Sequence, residues 1–112
     1  KGGYFMFEKE ITKQSYKFLC LLYKEYLQRC NTMSCISASV FNYVPVSIHE
    51  HISKEDCRQC LIELNDNDLV KLYVDGGFRL SNTAIVHMEN RFKKDISSVV
   101  SFIASIIKDC CT

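Results

Sequence analysis

Seven cysteines and three histidines are the residues of this 112-residue chain with the widest chemical reach. Cys30-x4-Cys35 and Cys57-Arg58-Gln59-Cys60 offer four thiols at spacings that can ligate zinc, and His49 or His51 can replace one of them. The same residues also fit a packed core. Cys57, Cys60, Leu61 and Leu64 fall at i, i+3, i+4 and i+7, one apolar helix face, on which a buried cysteine acts as a small hydrophobe. Cys20 sits within the apolar run Phe18 to Leu22. Core packing is therefore the preferred reading. No strand precedes the C-x-x-C, so it does not resemble a redox motif.

His49-Glu50-His51 reads as a solvated loop, and His87 stands alone. No G-x-S-x-G, phosphate-binding loop or dinucleotide-binding glycine run is present. The expectation is no enzyme, no metal and no cofactor. An odd number of cysteines without a secretion signal points to free thiols and a cytoplasmic location. The opening Lys1 to Phe7 lacks the apolar run of a signal peptide. It begins with Lys, so either the start lies upstream or Met6 is the native start. The longest apolar stretches, such as Phe18 to Tyr23, are too short to span a bilayer, and no membrane partner is expected.

Composition agrees with one globular domain: 47% hydrophobic, 12% aromatic, 24% charged, net charge +1. The charge is unevenly placed. In residues 50–79, Lys54, Arg58, Lys71 and Arg79 face Glu50, Glu55, Asp56, Glu63, Asp66, Asp68 and Asp75, a net of −3. The flanking segments are positive.

The elements that must position these residues follow from caps and periodicity. Residues 1–9 read as a flexible or appended start. Thr12 can cap a helix over residues 12–30, with Phe18, Leu19, Leu22, Tyr23 and Tyr26 inward and Lys13, Lys17, Lys24, Gln28 and Arg29 on a wet face. Tyr16, Tyr23 and Tyr26 belong to its core and rim rather than to a base-stacking platform. A short helix around Val40, Phe41 and Tyr43, capped by Ser37 or Ser39, ends at Pro45, the only proline. Residues 46–51 form a second short helix or an irregular segment. Ser53 caps a helix to about Leu64, with Glu55 and Asp56 in its first turn. Asn67 can take a left-handed cap. Leu69 to Val74 and Phe78 to Leu80 form a hairpin about Asp75-Gly76-Gly77. A last helix spans about 82–108, with a stripe of Ile85, Met88, Phe92, Ile96, Val99, Ile103 and Ile106. Residues 109–112 are a tail.

The segment from Ser53 to Ile85, SKEDCRQCLIELNDNDLVKLYVDGGFRLSNTAI, resembles the winged helix-turn-helix of MarR-like and PadR-like bacterial proteins and of small phage proteins. Leu64 matches its helix-end leucine. Leu69-Val70 matches the pair that opens the wing, and Phe78-Arg79-Leu80-Ser81 the segment that closes it. Asn67-Asp68 and Ala84 stand where that class has glycines. The similarity runs over residues 10–107. The fold class is thus α+β, mainly α with a small hairpin: a winged-helix core at 10–80 and a long C-terminal helix at 81–108.

The resemblance implies a DNA-binding transcriptional regulator. The capped third helix would enter the major groove, presenting Lys54, Glu55, Arg58, Gln59 and Ile62. Arg58 and Gln59 carry the forked or paired groups that read bases, and Lys71 or Arg79 would meet phosphate. Double-stranded DNA is one partner. A second copy is another, because a helix of about 25 residues reaches roughly 38 Å, beyond what this domain can cover. Phe92, Ile96, Val99, Val100, Ile103, Ile106 and Ile107 would form the dimer interface. The acidic third helix supports an alternative, a protein-interaction module of the adaptor or antirepressor kind that docks a basic partner without DNA.

Overall fold

The computed structural model describes the backbone of residues 3–6 and 9–110 and the side chains of residues 11–105. Its axis is helix α1 (Lys13–Arg29). Thr12 caps it, accepting the Ser15 N–H at 3.1 Å, and Ile11 just before the cap is buried. Buried side chains run without a gap from Ser15 to Tyr23, then continue at Tyr26 and Leu27. A helix buried over most of its circumference belongs in the middle of a fold. Of the expected wet face, Gln28 is exposed, Lys13, Lys24 and Arg29 are half-buried, and Lys17 is the exception. Lys17 is only 7% exposed. Arg29 donates to the Val40 carbonyl at 3.0 Å and lies 4.5 Å over the Phe41 ring.

Strands β1 (Gly3–Met6) and β2 (Lys9–Thr12) pair antiparallel ahead of α1, with Tyr4 opposite Ile11. Within the start expected to be flexible or appended, residues 3–6 and 9 thus lie in strands. Tyr4 and Phe5 are strand formers, and the chain just before α1 gives them a partner. Residues 1, 2, 7 and 8 lie outside the described residues.

After α1, Ser34 rather than Ser37 or Ser39 caps a one-turn helix α2 (Cys35–Ala38). The expected helix around Val40 and Phe41 is instead strand β3 (Val40–Phe41). It pairs with a strand nearly forty residues away, a tertiary contact that overrides local preference. Pro45 precedes a 3₁₀ helix, Val46–Glu50.

Helix α3 (Lys54–Asp66) starts where its cap predicts, Ser53 accepting the Asp56 N–H. Cys57, Cys60 and Leu64 face inward. At its end Asp68, not Asn67, takes the left-handed conformation (φ 62°). The Leu69 N–H then reaches the Leu64 carbonyl at 2.8 Å and the Asp68 N–H the Asn65 carbonyl at 3.1 Å. That double closure needs the left-handed residue one place further on, while the Asn67 side chain holds the Glu63 carbonyl.

Strands β4 (Val70–Leu72) and β5 (Phe78–Leu80) form the expected hairpin. With β3 they make a three-stranded antiparallel sheet in the order β3-β5-β4. Gly76 turns the tip at φ +96°. Gly77 passes so close to β3 that a Cβ there would stand 2.9 Å from the Phe41 carbonyl oxygen. Phe41 and Phe78 stack across the two strands with centroids 5.2 Å apart.

The expected single helix over 82–108 is two helices: α4 (Asn82–Phe92) and α5 (Ile96–Cys110). Lys93 and Lys94 are both left-handed (φ 53° and 60°), and Asp95 restarts the helix by accepting from Ser97 and Ser98. The elbow returns α5 onto α1. Phe102 packs edge-on to Tyr16 and against Phe92. Val99 and Ile103 are buried in the chain's own core. Among the described residues no single helix of the expected length therefore projects from the domain for a second copy to cover. The expected tail begins inside α5, and residues 111–112 lie outside the described residues.

Candidate nucleic-acid interface

α3 presents two unlike sides. Its inner side packs on α1 and Ile52, and burial lifts the Cys57 thiol to about 11, with the Cys60 sulfur and Asp56 adding to it. Burial raises Cys60 as well. Buried thiols of this kind pack as small hydrophobes. His49 turns its Nδ1 toward the Ile52 carbonyl (3.3 Å) and Cys57 Sγ (3.7 Å), while His51 is exposed. Cys30 and Cys35 sit elsewhere, at the α1–α2 junction. Among the described residues no three or more His, Cys, Asp or Glu side chains gather as a metal site requires.

The outer side carries Lys54, Glu55, Arg58, Gln59 and Ile62, all exposed. Lys54 and Arg58 border an open groove of about 490 Å³ between α3, the loop around Tyr43 and Val46, and the hairpin tip at Asp75 and Gly76. Gln59 faces a different groove, shared with Thr12, Gln14, Glu63 and Asp66. Lys71 and Arg79 are register partners across β4 and β5, on the sheet face that points away from buried Val70, Phe78 and Leu80. Arg79 borders a third groove, with Ile36, Val86 and Lys94. The five candidate DNA contacts are thus brought together only in pairs. Lys54 joins Arg58, Lys71 joins Arg79, and Gln59 stands apart.

Apolar side chains crowd the first groove. Tyr43, 71% exposed, and Val46, 74% exposed, line it with Val44 and Leu61, and Val74, next in sequence to Asp75, is fully exposed. Lone exposed apolar residues are ordinary; several around one concavity mark a contact surface. Sequence reading missed this group, because its members come from two segments that only the fold unites.

Glu63 was also missed. Its carboxylate accepts from Thr12 N–H (3.1 Å), Thr12 hydroxyl (2.9 Å) and Ser15 hydroxyl. One acid of the acidic segment is thereby spent on the positive end of α1.

Of the expected dimer residues, Phe92, Val99 and Ile103 are buried within the chain and Ile96 is half-buried. Val100 is exposed. The side chains of Ile106 and Ile107 lie outside the described residues. Among those described, no helix is long and apolar enough to cross a membrane.

No family model, curated protein or solved structure matches this chain.

Proposed function

We propose that the chain is a winged-helix module that binds double-stranded DNA through α3 and the β4–β5 hairpin. One observation carries this reading. The sheet order β3-β5-β4 sets the hairpin tip beside the N-terminal half of α3, with Lys54 and Arg58 open on the groove between them. A helix of this kind fits a major groove, and a flanking hairpin reaches the neighbouring backbone. Arg58 supplies the forked donor for a guanine edge. Lys54, Lys71 and Arg79 supply phosphate contacts.

Few cations take part, so the affinity should depend on salt weakly. With two to four phosphate contacts per chain, log K against log salt should slope by about −2 to −4. Fluorescence anisotropy of a mixed-sequence duplex at low and moderate salt measures it. Light scattering at the same concentrations separates one chain per duplex from the dimer expected from the sequence. Arg58→Ala should weaken binding by about 1–3 kcal/mol on its preferred site and little on mixed sequence. No binding at low salt overturns the reading.

A second reading rests on a specific observation too. Tyr43 and Val46 line the groove with apolar surface, Val74 stands exposed in the adjoining hairpin turn, and α3 carries Glu55 and Asp56 in its first turn. That combination suits a protein segment with apolar and basic side chains. Under it, Val74→Ser and Tyr43→Ser abolish complex formation, and duplex DNA does not compete.

A further inference from the structure

We propose that Cys30 and Cys35 are a dithiol modification site, converted to an intramolecular disulfide by a small hydroperoxide. The pair lies apart from the DNA groove and is independent of that reading. Cys30 caps the C-terminal end of α1 and Cys35 opens α2. The turn between them is closed by backbone hydrogen bonds. Asn31 N–H reaches Gln28, and Thr32 and Met33 both reach Arg29. This turn holds the two sulfurs 3.1 Å apart, the Cys30 thiol donating to Cys35 Sγ. A disulfide is about 2 Å long, so bond formation needs an approach of only about 1 Å.

The two thiols are unequal in the way such a reaction requires. Cys35 is exposed and Cys30 is half-buried. The Cys35 thiol is held below its ordinary range by the hydrogen bond from Cys30, then by one from the Tyr26 hydroxyl, with the Lys94 charge adding to both. Burial pushes the Cys30 thiol up. Cys35 is the attacking thiolate and Cys30 the resolving thiol. Cys35 also opens on the groove bordered by Arg79 and Lys94, which gives a small oxidant access. The other described thiols lack this arrangement. Cys20, Cys57 and Cys60 are buried, and burial raises all three.

The step balances. Cys35 thiolate attacks the peroxide; an S–O bond forms, the O–O bond breaks, and the leaving oxygen takes a proton. Cys35 is then a sulfenic acid. Cys30 sulfur attacks it, the S–S bond forms, the S–O bond breaks, and the hydroxide leaves as water with the Cys30 proton. Two thiols lose two electrons, and the peroxide is reduced to water and an alcohol, or to two waters.

The sequence supplies a clean assay. Cleavage after Arg29 and Lys54 releases residues 30–54, which contain Cys30, Cys35 and no other cysteine. The native protein is treated with hydrogen peroxide, alkylated with iodoacetamide, digested without reductant and weighed by mass spectrometry. The expected product is peptide 30–54 without alkyl groups and about 2 Da lighter, restored by dithiothreitol. Its formation should be at least about tenfold slower in urea, where the pair is no longer positioned. Cys35→Ser should slow modification of Cys30 by about tenfold or more, while Cys30→Ser should leave Cys35 as a sulfenic acid trapped by dimedone. Two alkylated cysteines in that peptide, a link to another peptide, or an equal rate in urea overturns the proposal. The wild-type measurement decides even where a variant fails to fold.

Discussion

Glu63 joins the start of α1 to α3 through three hydrogen bonds from Thr12 and Ser15. Glu63→Ala would leave those donors to water or unpaired, at a cost of about 2 kcal/mol. A urea melt checks this, and Glu63→Gln, which keeps an acceptor, should lie between. His87 makes a pH prediction. Its Nε2 is 3.0 Å from the Tyr16 hydroxyl, which also accepts from Arg91 at 3.3 Å. Burial, and then the Arg91 charge, holds the imidazole below its ordinary range. The unfolded imidazole takes a proton near 6.5, and the folded one resists until lower pH. The stability His87 contributes is therefore present above about pH 6.5 and lost as pH falls below it. The urea midpoint should fall between pH 7.5 and pH 5, and His87→Gln should flatten that fall.

Elements in this chain were legible wherever their signal is local. The Thr12 and Ser53 caps and the glycine hairpin are written within a few residues, and each stands where the sequence places it. The elbow at residues 93–95 was hidden by arithmetic. Phe92 and Ile96 are four apart, so the apolar stripe runs through the break as though the helix continued. β3 was hidden because its partner, Phe78-Arg79, lies far along the chain. The site was legible as residue types and not as a place: Arg58 and Gln59 adjoin in sequence yet face different grooves. Strain at the elbow predicts that Lys93→Gly stabilises the protein by up to about 1 kcal/mol, since glycine takes a left-handed conformation without the Cβ clash. At the hairpin, Gly77→Ala should destabilise by about 1–3 kcal/mol, because the new Cβ must push the Phe41 carbonyl aside. Thermal melts of the two variants should move in opposite directions.

At the scale of the molecule, one helix is shared by every other layer. α1 packs on α3 on one side and α5 on another, and the sheet reaches it through Arg29 and Phe41. The cations are spread over separate grooves instead of one field, which is why the DNA reading predicts a shallow salt dependence. The same enclosure makes α5 part of the core. A chain ending at residue 95 loses Val99, Phe102 and Ile103 from the α1 surface, and should show no cooperative thermal transition. The elbow gives this a temporal side. α5 is the last of these elements to leave the ribosome, yet it covers the helix that emerges among the first. Until it arrives, Tyr16 and its neighbours have no roof. Folding of the α1 surface is thus completed only by the C-terminal segment, which the two left-handed lysines turn back onto it.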